Sequence, residues 1–147
     1  MTHHDPIIWV LNGPNLQALG RRLPDVYGNK TLSELTADWM AYGTALGVTV
    51  RAEQSNHEGQ LIDWIHEARG SRGIILNAGA FTHYSVAIRD AVESIRPTPV
   101  VEVHLSNVHA REAFRSHSVL SAVCVGQITG FGDAVYPLAM RVLMGQW

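Results

Sequence analysis

Three polar segments carry most of the residues in this chain that could do chemistry. They read "NGPNLQALGRRLPDVYG" from Asn12 to Gly28, "NAGAFTHYS" from Asn77 to Ser85 and "HLSNVHAREAFRSHS" from His104 to Ser118. Together they supply histidines, arginines, asparagines and Tyr27, a set suited to holding an anionic, hydroxylated small molecule and to moving protons. The first segment is far longer than a common connector of about four to six residues. It therefore needs a reason beyond joining two elements.

What the segments lack narrows the chemistry. They contain no nucleophilic Ser–His–Asp order and no G-x-x-x-x-G-K-[ST] phosphate loop. "HEGQL" at His57 begins like the zinc motif H-E-x-x-H, but Leu61 stands where the second histidine must be and His66 lies nine residues from His57. Lys30 is the only lysine and sits in a polar lead-in to a helix, which argues against covalent amine catalysis. Cys124 is the only cysteine, so no internal disulfide can form, and "SAVCVG" reads as a small buried core residue. His66, His109 and His117 read as helix or loop hydrogen-bonders, and His3 and His4 as part of a loose N-terminus. Tyr42, Tyr84 and Tyr136 lack paired neighbouring arginines and read as structural.

Composition sets the frame for these residues. The 147 residues, 46% hydrophobic and 16% charged, suit one globular domain spanning 1–147 with a single core. A formal charge of −2, with ten arginines and one lysine and no basic tail or patch, argues against a nucleic-acid partner. No run is long enough to span a bilayer and no basic n-region precedes an apolar stretch, so the expectation is a cytoplasmic protein without a membrane partner.

The elements that must position the polar segments follow from apolar periodicity. Val- and Ile-rich runs predict five strands at Ile7–Leu11, Val48–Glu53, Gly73–Asn77, Pro99–His104 and Val119–Val125. Leu32, Leu35, Trp39 and Leu46 recur on one helical face after a Thr31…Glu34 capping box, and Leu61, Ile62, Ile65 and Ala68 do so before Gly70. A third helix is predicted over Ser85–Ile95, and a fourth from an Asp133 cap to about Leu143, with Pro137 tolerable near its first turn. Strands alternating with helices predict an α/β fold, a flavodoxin-like three-layer sandwich with a five-stranded parallel sheet. Ligands of such sheets bind beyond the carboxyl ends of the strands, where the three polar segments meet.

At this point a resemblance becomes specific. "LNGPNLQALGRRLPDVYG", "QSNHEGQLIDWIHEA", "ILNAGAFTHYSVAIRDAV", "VEVHLSNVHAREAFRSHS" and "GQITGFG" resemble, in order and spacing, the motifs of type II 3-dehydroquinate dehydratase. The resemblance covers the chain from the first strand to the last helix. It implies dehydration of 3-dehydroquinate to 3-dehydroshikimate through an enolate, in the shikimate pathway or in a quinate-catabolic paralogue, with no cofactor and no metal. A non-catalytic flavodoxin-like binding module is the alternative from another class.

The resemblance also assigns roles. Tyr27 is the proton acceptor and Arg22, five residues before it, the transition-state stabiliser. A tyrosine, ordinarily titrating near pH 10, must be lowered by roughly 2–3 pH units to serve near neutrality, or about 3–4 kcal/mol. Close guanidinium groups partly shielded from water can supply this. Asn15 matches an asparagine that holds a water near the enolate oxygen, and His104 matches the proton donor. Glu102, two residues earlier on the same strand face, could keep His104 protonated. Leu105 and Ser106 would hold the substrate carboxylate through backbone N–H groups. Asn77, His83 and Arg115 would hold carboxylate and ring hydroxyls, with Arg111 as a structural or gating partner. His57 and Glu58 would order the second loop against its neighbours.

Asp90 is implied to reach the site of a neighbouring subunit in a homo-oligomer, a trimeric unit that assembles further into a dodecamer. The simpler reading is a solvated helix-face carboxylate paired with Arg89 or Arg96. One departure stands out: the family usually has glutamate between Arg22 and Pro24, and this chain has Leu23. Lost from a catalytic lid, that carboxylate implies an altered KM or lid rate with activity retained.

Overall fold

The computed structural model describes residues 6–21, 25 and 28–146. Five strands form one parallel sheet, β1 (Ile7–Asn12), β2 (Thr49–Gln54), β3 (Gly73–Asn77), β4 (Val100–His104) and β5 (Gly126–Thr129), in the order β2-β1-β3-β4-β5. The helices that cover it are α1 (Leu32–Leu46), α2 (Glu58–Glu67), α3 (Val86–Ser94) and α4 (Val135–Leu143).

Side chains alternate along each strand, so one apolar run feeds two cores. Ile8, Val10, Ile75 and Val101 pack with Leu35 and Trp39 of α1 and with Ala139 and Met140 of α4. Trp9, Leu11, Ile74 and Val100 face the other way, against Leu61 and Ile65 of α2 and Ile88 and Val92 of α3. Each fully buried side chain of this size contributes about 1.5–3 kcal/mol. These two cores make the fold a three-layer α/β sandwich of the flavodoxin-like kind.

Local signals fix the helix starts. Thr31 and Glu34 form a reciprocal capping box at α1, and Ser85 Oγ accepts the Ile88 N–H at α3. Two expectations are corrected. The run Val119–Val125 is not a strand: Ser121–Val123 forms a 3₁₀ turn, with Leu120 and Val123 buried beneath it, and β5 begins only at Gly126. Nor does Asp133 cap α4. It lies inside a 3₁₀ turn, Gly132–Ala134, and Ala134 precedes the helix without a side-chain cap.

The strand order reverses direction at β1, since β2 lies to one side and β3, β4 and β5 to the other. The connections leaving β1 and β3 diverge there and open a crevice beyond their carboxyl ends. Close backbone approach sets its floor. The Gly13 N–H donates to the Asn77 carbonyl at 2.7 Å, and a Cβ on Gly13 would lie 2.4 Å from the Ala78 carbonyl oxygen.

Candidate functional site

At this crevice lies a cavity of about 260 Å³ whose lining includes Asn15, Asn77, His83, His104, Ser106 and Arg115. Leu105 and Arg111 border it as well. Ligand pockets commonly measure roughly 300–1,000 Å³, so this one suits a compact molecule.

The β1 side is held by a polar lattice. Asn15 adopts a left-handed backbone conformation, φ 68°, which asparagine tolerates better than most residues. Its N–H donates to Asn56 Oδ1 at 3.0 Å. Gln54, at the end of β2, donates from Nε2 to the Gly13 carbonyl at 3.1 Å and to Asn56 Oδ1 at 3.2 Å. Glu58, in the first turn of α2, accepts from Ser85 Oγ at 2.5 Å and so ties the second loop to the start of α3.

At the end of β3, Asn77 is buried and its orientation is set from α4. Its Nδ2 donates to the Tyr136 hydroxyl at 3.0 Å, which in turn donates to Asn12 Oδ1 at 2.7 Å. Asn12, Asn77 and Tyr136 are all buried, so this chain of bonds satisfies groups that have no solvent to turn to. Burial pushes the Tyr136 hydroxyl above its ordinary value, even though the Asn77 bond favours ionisation. With its proton committed to Asn12, Tyr136 is a neutral hydrogen-bonding post. His83 is oriented likewise: Nδ1 meets the His117 carbonyl at 2.7 Å, which accepts, so Nδ1 carries the proton and Nε2 is unprotonated in the neutral ring.

The end of β4 holds the strongest electrostatic feature. His104 Nε2 lies 2.6 Å from Glu102 Oε2, with the glutamate fully buried and the histidine nearly so. Burial opposes ionisation of Glu102. The His104 hydrogen bond and charge, with donors from Gln127 and Ser121, nevertheless hold its carboxyl below the ordinary range. An ionised carboxylate only accepts, so Nε2 carries a proton and Nδ1 is the nitrogen left to exchange one. Farther along, Arg111 donates to Ser106 Oγ at 3.3 Å. Arg115 donates from Nε to Glu112 and lies over the Phe114 ring, 4.9 Å from its centroid.

Not every residue singled out from the sequence joins the cavity. Asp90 lies exposed on α3 and does not line the cavity, and neither Arg89 nor Arg96 pairs with it; Arg89 donates to the Val119 carbonyl at 2.8 Å. Arg22, Leu23 and Tyr27 fall outside the described residues. Cys124 is half-buried rather than fully buried, and burial and the Glu102 charge push its thiol up to about 12. Among the described residues, no group of three His, Cys, Asp or Glu side chains could hold a metal ion, and no helix is long and apolar enough to cross a membrane.

Sequence reasoning missed Tyr136, which reads as one more apolar position of an amphipathic helix. It also missed Ser118, Ser121 and Gln127 as partners of Glu102: Ser121 lies in the run Val119–Val125 taken for a strand, and Ser118 and Gln127 flank that run.

A comparison with known families decides what the chain is related to: the family model "Dehydroquinase class II" matches residues 6–144. The chain belongs to this family. Among curated relatives, a 3-dehydroquinate dehydratase of Halalkalibacterium halodurans is 59% identical over 138 residues, covering 93% of this chain and 94% of the relative. One of an Exiguobacterium species is 58% identical over 140 residues, 95% of each chain. The crystal structure of a type II dehydroquinase from Propionibacterium acnes superposes with a TM-score of 0.92 at 43% identity, covering 98% of this chain and 99% of that one. Within the family, the cavity at the β1/β3 crevice is where the polar segments of this chain converge.

Proposed function

We propose that this dehydroquinase, a hydro-lyase, removes water from 3-dehydroquinate to give 3-dehydroshikimate, in the shikimate pathway. The observation that carries the reading furthest is the Glu102–His104 pair at the cavity wall. A buried carboxylate at 2.6 Å stabilises an imidazolium whose other nitrogen can deliver a proton to a departing hydroxyl.

Tyr27 takes the proton next to the ketone, and Arg22 favours its tyrosinate. Asn15, fixed in its left-handed turn, stabilises charge on the enolate oxygen. Asn77, His83 and Arg115 hold the carboxylate and ring hydroxyls, with the backbone of Leu105 and Ser106 completing the anion site. Asp90, exposed on α3, serves the cavity of a neighbouring subunit in a trimer that assembles into a dodecamer. The enzyme acts as a single-domain cytoplasmic protein.

Mixing purified protein with 3-dehydroquinate and following the ultraviolet absorbance of the conjugated enone tests this. A rise with wild type that is nearly abolished in Tyr27→Phe supports it, and no rise with the assembled oligomer overturns it.

A further inference from the structure

Glu102 is fully buried, and a carboxylate has about four acceptor positions. All four are filled. Oε1 accepts from Ser118 Oγ at 3.0 Å and Ser121 Oγ at 2.9 Å, and Oε2 from Gln127 Nε2 at 2.8 Å and His104 Nε2 at 2.6 Å. The two hydroxyl protons are committed by what the same oxygens accept. Ser118 Oγ takes the N–H groups of Leu120 and Ser121, both at 3.1 Å, and Ser121 Oγ takes a second contact from Gln127 Nε2 at 3.3 Å. A protonated carboxyl would have to aim its own hydrogen at one of these donors. On the Oε2 side neither the amide nitrogen of Gln127 nor the Nε2–H of His104 can accept it.

We propose that Ser118, Ser121 and Gln127 are positioning residues for the His104 acid, filling the acceptor positions of Glu102 so that its carboxylate is held as an anion against His104 Nε2. This rests on the reading of His104 as the proton donor. The three residues come from the turn and edge strand that follow β4, a segment in which no catalytic role is otherwise assigned. Among the described residues, the titrating groups that act with Glu102 are His104 on its own strand and the Cys124 thiol ahead of β5. The thiol is neutral across the working range of pH, so beside the His104 hydrogen bond and charge it is the neutral donors, not a further charge, that help keep the carboxylate ionised. Each of them also restricts where the carboxylate plane can lie, and with it the tilt of the imidazole that presents Nδ1 to the cavity.

Ser121 and Gln127 are exposed, so replacing them opens no core. Ser121→Ala and Gln127→Leu, made in the assembled protein with selectively ¹⁵N-labelled histidine, separate positioning from mere folding. The ring signals of His104 are followed by NMR against pH, beside steady-state turnover of 3-dehydroquinate. The acid-side inflection in those signals, where Glu102 takes up a proton, moves up by about one pH unit in each variant. It returns in Ser121→Thr, which restores the hydroxyl. Meanwhile kcat falls several-fold at the acid end with KM unchanged. An inflection that does not move overturns the proposal, and so does one that moves while kcat stays at the wild-type value throughout. Wild type that turns over nothing sinks the dehydratase reading instead, and the titration still judges the positions of the donors.

Discussion

Replacing Tyr136 by phenylalanine removes one oxygen and leaves the ring in place. That oxygen accepts from Asn77 Nδ2 at 3.0 Å and donates to Asn12 Oδ1 at 2.7 Å, and both asparagines are buried, at 4% and 1% exposure. The ring stays against Trp39, with centroids 4.2 Å apart, so packing changes little. Two buried polar groups lose a partner, and each such loss costs about 1–3 kcal/mol, so Tyr136→Phe should destabilise by roughly 2–6 kcal/mol. In a chain of this size that lowers the melting temperature by about 5–15 °C. Asn77 lines the cavity, and its amide loses the anchor on Nδ2 and is held by the 3.3 Å bond that its Oδ1 accepts from the Gly79 N–H. KM for 3-dehydroquinate should therefore rise several-fold while kcat changes less. Denaturant titration and steady-state kinetics read both effects, and adding Asn12→Leu should recover part of the stability because the stranded acceptor is removed too. A variant with the wild-type denaturation midpoint and the wild-type KM would refute the reasoning.

Other consequences are independent of that network. Gly13→Ala should destabilise by about 1–3 kcal/mol and impair turnover, because its Cβ would press within 2.4 Å of the Ala78 carbonyl oxygen and force the β1 and β3 connections apart; thermal unfolding measures this. The carboxyl of Glu102 is depressed in the folded protein, so its contribution to stability is complete above the ordinary carboxyl range and is lost as pH falls through the folded value. Acid unfolding of Glu102→Gln should therefore be shallower than that of wild type below about pH 4.5, where unfolded glutamates take up protons. Cys124, its thiol pushed up to about 12, should resist alkylation at pH 8 in the native protein and react once the chain is unfolded, as mass spectrometry would record.

The strands and helices were legible wherever periodicity and caps agreed. β1, β3 and α1 follow from Ile7–Leu11, Gly73–Asn77 and the Thr31…Glu34 box almost to the residue. Val119–Val125 misled because Leu120 and Val123 are buried, as strand residues would be, yet Ser118 Oγ captures the N–H groups of Leu120 and Ser121 and winds the chain into a turn. The true edge strand, Gly126–Thr129, is short and exposed in its first half, which leaves little periodicity to read. The same local capture hid the donors to Glu102, because a serine that caps a turn and a serine that feeds a buried carboxylate look alike in sequence. Tyr136 was hidden by its helix: only the register of α4 against the ends of β1 and β3 aims its hydroxyl at Asn12 and Asn77. The cavity residues, by contrast, could be placed in advance. They sit on the segments that begin at the ends of β1, β3 and β4, and a parallel sheet gathers such segments at one end.

The division of labour between Tyr27 and His104 is tested most directly by proton exchange in deuterium oxide. NMR of 3-dehydroquinate incubated with each variant follows deuterium entering next to the ketone, beside formation of 3-dehydroshikimate. His104→Ala should lose elimination yet still exchange that proton, because the base and the enolate site remain, whereas Tyr27→Phe should lose both. Exchange that survives in Tyr27→Phe but vanishes in His104→Ala would contradict the assignment of base and acid.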